Sequence, residues 1–82
     1  MFVLTQYKKI VNLNRYDYTY VVERKKEQKW EVKASREKSL TTYNPQVTLA
    51  TYDSAEKAWE LVDRIFANLT LSKRAMDVSE DK

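Results

Sequence analysis

The sequence predicts an α+β domain, an antiparallel β-meander of about four to five strands with one C-terminal amphipathic helix packed on one face. Three observations predict it. Residues 54–69 repeat apolar side chains at spacings of three and four, residues 16–35 alternate apolar and polar side chains around a charged turn, and residues 46–52 alternate again just before the helix. At 82 residues the chain has room for one domain, burying only about 60% of its extended surface. The expected domain covers 1–71, with 72–82 as a flexible charged tail.

Two short apolar stretches come first, Phe2 to Thr5 and Lys9 to Leu13, joined through Gln6, Tyr7 and Lys8. They read as a small leading hairpin. Residues 16–35 read as a second one. Pairing Val22 with Trp30, Tyr20 with Val32 and Tyr18 with Ala34 gathers the apolar residues on one face and sets Glu23 opposite Lys29. That register leaves Lys25, Lys26 and Glu27 as the loop and the other sheet face polar; a slip of one residue would reverse every side chain.

Residues 36–45 are polar and end in Asn44-Pro45, a turn signal, after which Val47, Leu49 and Thr51 alternate along a last strand. Asp53 followed by Glu56 has the form of a capping box. Behind it Ala55, Ala58, Trp59, Val62, Ile65, Phe66 and Leu69 form the apolar stripe, with Glu60 and Arg64 spaced for an i,i+4 ion pair. The expected core is Val3, Ile10, Leu13, Tyr18, Tyr20, Val22, Trp30, Val32, Val47, Leu49, Trp59, Val62, Ile65, Phe66 and Leu69. In that core, truncating Trp59 to Ala would cost about 3–5 kcal/mol. The chain has no glycine, so Asn12, Asn14 and Asn44 are the expected left-handed positions.

Composition excludes several chemistries. Without glycine there is no phosphate-cradling loop of the Walker or dinucleotide-binding kind, and without His or Cys there is no imidazole- or thiolate-based triad, nucleophile or zinc site. The acidic residues are interleaved with Lys and Arg, as on a solvated surface. No catalytic, cofactor-binding or metal-binding residue stands out, and a non-enzymatic protein is expected, with no cofactor. The N-terminal apolar run is too short for a signal-peptide core and no segment has transmembrane length. A cytoplasmic protein without membrane contact is the expectation.

Residues 1–52 carry ten Lys or Arg against five Asp or Glu, and residues 53–82 five against seven. The strands are therefore basic and the helix with its tail mildly acidic. Tyr16, Tyr18 and Tyr20 have two readings, as core under the helix or as a base-stacking row of the kind that single-strand binders use; the core reading ranks first because the helix needs an apolar face to cover. Tyr7, Tyr43 and Tyr52 lie nearer turns and are expected to be more exposed. At the hairpin tip, Arg24, Lys25, Lys26 and Lys29 would suit a phosphate backbone, or a guard against edge-to-edge aggregation. The candidate contact residues are Arg24, Lys25, Lys26, Lys29, Lys33 and Tyr43.

Leu4-Thr5-Gln6, then Lys8-Lys9-Ile10-Val11-Asn12-Leu13, the tyrosine-rich strand to Val22, and Leu49-Ala50-Thr51-Tyr52-Asp53-Ser54 entering the helix resemble small uncharacterised proteins of Gram-positive bacteria and their phages. The resemblance implies a bacterial or phage setting and assigns no activity. The leading functional expectation is a small protein-interaction module, accessory or modulator, with an unidentified protein partner and a strand edge open to homodimerisation. The alternative is weak nucleic-acid binding through the basic strands and hairpin tip.

Overall fold

The computed structural model describes residues 1–37 and 46–82. In chain order its elements are β1 (Phe2–Leu4), β2 (Ile10–Asn12), a 3-10 turn (Leu13–Arg15), β3 (Tyr18–Arg24), β4 (Lys29–Ser35), β5 (Gln46–Tyr52), α1 (Ala55–Thr70) and β6 (Ala75–Asp77). The α+β class, both hairpins and the helix are as the sequence predicts. The strands form two three-stranded sheets, ordered β2-β1-β6 and β3-β4-β5. No helix among the described residues is long and apolar enough to cross a membrane.

The β3–β4 register differs from the expected one by a single residue. Val21 stands opposite Val32, Tyr20 opposite Lys33 and Arg24 opposite Lys29. The cause lies in the turn. Four residues, Lys25 to Gln28, close the hairpin instead of three, and Gln28 takes a left-handed conformation with φ of 54°. A left-handed last residue is a common way to end a longer hairpin loop. Because side chains alternate along a strand, Val32 and Ala34 keep their expected place beneath the helix, while the shift brings Val21 there beside Val32 and turns Tyr18, Tyr20 and Val22 to the open side. Left-handed backbone among the described residues falls at Lys8, Gln28 and Ser72. Asn12 is extended instead and its side chain caps the 3-10 turn; Asn44 lies outside the described residues, as does the expected turn at Pro45.

On β5 the alternation breaks at Leu49, an extra residue between Thr48, which pairs with Lys33, and Ala50, which pairs with Val32. This bulge lets the adjacent Leu49 and Ala50 both be fully buried.

Ser54, one residue beyond the expected cap, starts α1: its side chain accepts from the Lys57 N–H at 3.2 Å. Asp53 instead pairs with Lys57 at 3.2 Å. The helix buries Ala58, Leu61 and Ile65, with Val62 partly covered. Trp59, Phe66 and Leu69, expected in the core, are exposed by 55%, 58% and 50%. At 100° per residue the apolar arc runs from Leu61 round to Trp59, wider than the sheet can cover. The flat face of β3-β4-β5 takes the Ala58–Leu61–Ile65 side, and the Trp59–Phe66 shoulder stays in water. Arg64 does not pair with Glu60 as expected but donates to Asp81 at 2.6 Å.

Asp81 belongs to the segment expected to be a flexible tail. There β6 pairs in parallel with β1, aligning Val3 with Met76. Val78 is completely buried and its N–H donates to the Leu4 carbonyl at 2.9 Å. The core contains Val3, Leu13, Val32, Leu49 and Ile65 as expected, joined by Val11, Ala34, Ala50, Tyr52, Ala58, Leu61 and Val78. Ile10, at 73% exposure, points outward from the small sheet with Phe2. Tyr18 is likewise exposed, and Tyr20, Val22, Trp30, Val47 and Val62 are half-buried.

Candidate functional site

The shifted register composes the open face of β3-β4-β5. Parity along each strand puts Tyr18, Tyr20, Val22 and Arg24 of β3 beside Lys33, Glu31 and Lys29 of β4 and Gln46, Thr48 and Thr51 of β5, with Ser35 of β4 buried at the Tyr18 end. Tyr18 and Tyr20 are neighbours in one column, ring centroids 5.6 Å apart and tilted by 43°. The two rings form a short aromatic platform. The Tyr20 hydroxyl reaches across β4 and donates to Gln46 Oε1 at 2.7 Å, which holds the ring over the strand bearing Lys33.

At the other end of the face, Arg24 Nε is bonded to Glu31 Oε1, and Thr48 Oγ1 donates to Glu31 Oε2 at 3.4 Å. This bond to Glu31, and then the carboxylate's charge, raises the Arg24 pKa. One cation of the face is thus matched by its one carboxylate, while Lys29 and Lys33 have no ion-pair partner among the described residues. Tyr7, at the tip of the β1–β2 turn, hydrogen-bonds Thr51 through its hydroxyl and adds a third half-exposed ring at the β5 margin.

Of the residues singled out in the sequence, Arg24, Lys29 and Lys33 therefore share this face. Lys25 and Lys26 extend it at the hairpin tip, around a shallow basin of about 570 Å³ that Glu23 and Glu27 also line. Tyr43 lies outside the described residues. Tyr7 is exposed as expected, whereas Tyr52 is buried. Sequence reading missed Tyr18 and Tyr20 as site residues because it assigned them to the core.

Tyr52 anchors a separate polar cluster. Its hydroxyl donates to Asp81 Oδ2 at 2.7 Å, and Arg64 Nη1 donates to the same oxygen. Burial, then the bond and charge of Asp81, push the Tyr52 pKa far above that of a free phenol. A neutral tyrosine fixed between a strand and the C-terminal segment is a structural clamp. Elsewhere, carboxylates pair with cations, Asp53 with Lys57 and Glu80 with Lys8 at 3.3 Å, and the Ser79 donors lower the pKa of Asp77. No group of three or more acidic residues able to hold a metal ion occurs among the described residues.

The fold and the face together define a small α+β domain whose larger sheet has one face covered by no described helix or strand, aromatic along one edge strand and basic across the middle. Comparison with protein-family models, with curated proteins and with solved structures finds no match.

Proposed function

We propose that the open face of β3-β4-β5 binds single-stranded nucleic acid, weakly and with little sequence preference, as a non-catalytic module. The observation that carries this reading is the alignment of the Tyr18–Tyr20 pair with Lys33 directly opposite and Lys29 and Arg24 along the same face. Exposed aromatic rings on a sheet stack unpaired bases of any identity, and flanking cations meet the phosphates. A duplex presents no free base faces to such a platform. The excess of five positive charges over residues 1–52 favours approach of a polyanion. The setting we propose is the cytoplasm, to which a cysteine-free chain is suited.

Sequence alone ranks protein interaction ahead of this reading. The order changes because the tyrosines are released from the core and stand beside lysines. Protein association keeps a specific observation of its own on a different surface, the exposed Trp59–Phe66 shoulder of α1.

Fluorescence anisotropy with a labelled oligouridylate or oligothymidylate tests the proposal. Binding is expected at low salt, with log affinity falling against log salt at a slope of roughly −2 to −3 for three to four phosphate contacts. Tyr20→Ala is expected to weaken it by roughly 5- to 150-fold, the loss of one stacked base. No binding at low salt, or binding that responds to neither salt nor Tyr20→Ala, would overturn it.

A further inference from the structure

We propose that the chain pairs with a second copy of itself through one continuous surface, the outer edge of β3 together with the Trp59–Phe66 ridge of α1. This inference is independent of nucleic-acid binding.

The two ends of the larger sheet differ. At β5 the Gln6 N–H donates to the Leu49 carbonyl at 3.2 Å, and Gln6 Oε1 accepts from the Thr51 N–H at 2.7 Å. Backbone and side chain of one glutamine thus cover that edge as a strand would. At β3 no described strand covers the outer side. Open edges are ordinarily guarded by proline, by lysine or by a bulge. Tyr18 to Val22 contains none of these, lysine entering only at the hairpin tip with Lys25 and Lys26, and the pairing with β4 is regular throughout.

The ridge lies on the same side of the molecule. Trp59 and Phe66 are seven residues apart, within about 20° of each other around the helix. The opposite flank carries Arg64, joined through Asp81 to Tyr52 of β5. The Trp59–Phe66 flank must therefore face β3. In agreement, Leu69 lines a groove with Tyr18 and Thr19 of β3. Both rings are more than half exposed, which is unusual for a tryptophan with no covering partner.

The surface is self-complementary. An antiparallel pair of β3 strands centred on Val21 sets Tyr20 against Val22 of the second copy, Tyr18 against Arg24, and Asp17 against Lys25. The last two contacts are a cation over a ring and a pair of opposite charges, each made twice by the two-fold axis. Leu69 near Thr19 means that α1 runs antiparallel to β3, so the same axis sets α1 against its copy with Trp59 opposite Phe66.

Distances agree. Three strand spacings separate β4 from its copy, about 14 Å, whereas helices in contact through ordinary side chains lie about 8–10 Å apart. An indole and a phenyl ring on each helix span the difference. Two half-exposed aromatics bury only about 100 Å² each, well short of the roughly 800 Å² per partner of a stable interface. Edge and ridge are both needed, and pairing joins the two open faces into one of six strands.

Sedimentation velocity of the full chain from low micromolar to near-millimolar concentration tests this. The expected mass rises from 9.8 kDa toward twice that value. Trp59→Glu, at an exposed site, should weaken association at least tenfold while circular dichroism stays native. Ile10→Glu, on the outer face of the small sheet, should leave it unchanged. Hydrogen exchange should show the outer-edge amides of Tyr18–Arg24 gaining protection as concentration rises. A monomer throughout the range, association that survives Trp59→Glu or is abolished by Ile10→Glu, or a doubled mass without new protection in β3 would each overturn the proposal.

Discussion

Tyr20 stands directly opposite Lys33 on the open side of the larger sheet, with its hydroxyl bonded to Gln46 at 2.7 Å across the intervening strand. A flat ring is thereby held against a lysine that has no ion-pair partner among the described residues. Stacking and charge are supplied by different residues, so they can be removed separately. Lys33→Gln is expected to make the salt slope shallower by roughly one and to weaken binding to all sequences alike. Tyr20→Phe keeps the stacking ring but frees it from Gln46, and should weaken binding less than Tyr20→Ala does. Anisotropy titrations at several salt concentrations check both.

The helix yields a contrast of stabilities. Leu61 is 1% exposed beneath the sheet, while Trp59 is more than half in water. Leu61→Ala should cost about 2–5 kcal/mol. Trp59→Ala should cost less, about 1–2 kcal/mol, because more than half of the residue is already in water. Urea denaturation, run dilute enough that copies do not pair, measures both. The order is the reverse of that implied by a stripe centred on Trp59.

That reversal shows where the sequence was legible and where it was not. The existence of α1, of both hairpins and of β5 followed from local periodicity, and those elements stand where the pattern puts them. Periodicity says that an arc of a helix is apolar; it does not say which part of a wide arc the sheet covers. Leu61 and Trp59 lie at opposite ends of that arc, and only tertiary packing distinguishes them.

The site was misread for a related reason. Both β3–β4 registers keep an alternating pattern, since Val21 and Val22 are adjacent and tyrosine suits either face. The choice rested on a turn without glycine. Gln28 carries no signal of its left-handed conformation, yet that one residue decides which face holds Tyr18 and Tyr20. The cations Arg24, Lys29 and Lys33 were legible as candidates because charge is local; their aromatic neighbours were not.

The C-terminal segment gives a second stability test. Ala75, Met76, Asp77 and Val78 are too few and too flanked by charge to read as a strand, and their partner β1 is more than seventy residues away. Val78 is nonetheless fully buried. Val78→Ala should cost roughly 1–3 kcal/mol, where a free tail would register no change. Thermal and urea melts decide this.

The Tyr52 clamp makes stability depend on pH at the alkaline end. Its pKa in the folded protein is raised above the value of 10.0 for a free tyrosine, first by burial and then by the bond to Asp81. The unfolded chain therefore loses this proton more readily than the folded one. The contribution is fully present below about pH 10 and declines as pH rises from there toward the folded pKa. Between pH 10 and 12 the melting temperature should fall more steeply for the parent than for Tyr52→Phe. Equal slopes would remove the clamp from the account.

The register of β3 against β4 underlies the open tyrosine–lysine face, and cross-strand nuclear Overhauser contacts measure it most directly. Backbone contacts pairing Tyr20 with Lys33 and Val21 with Val32 are expected. Contacts pairing Tyr20 with Val32 and Val22 with Trp30 would return the tyrosines to the helix side and contradict that register.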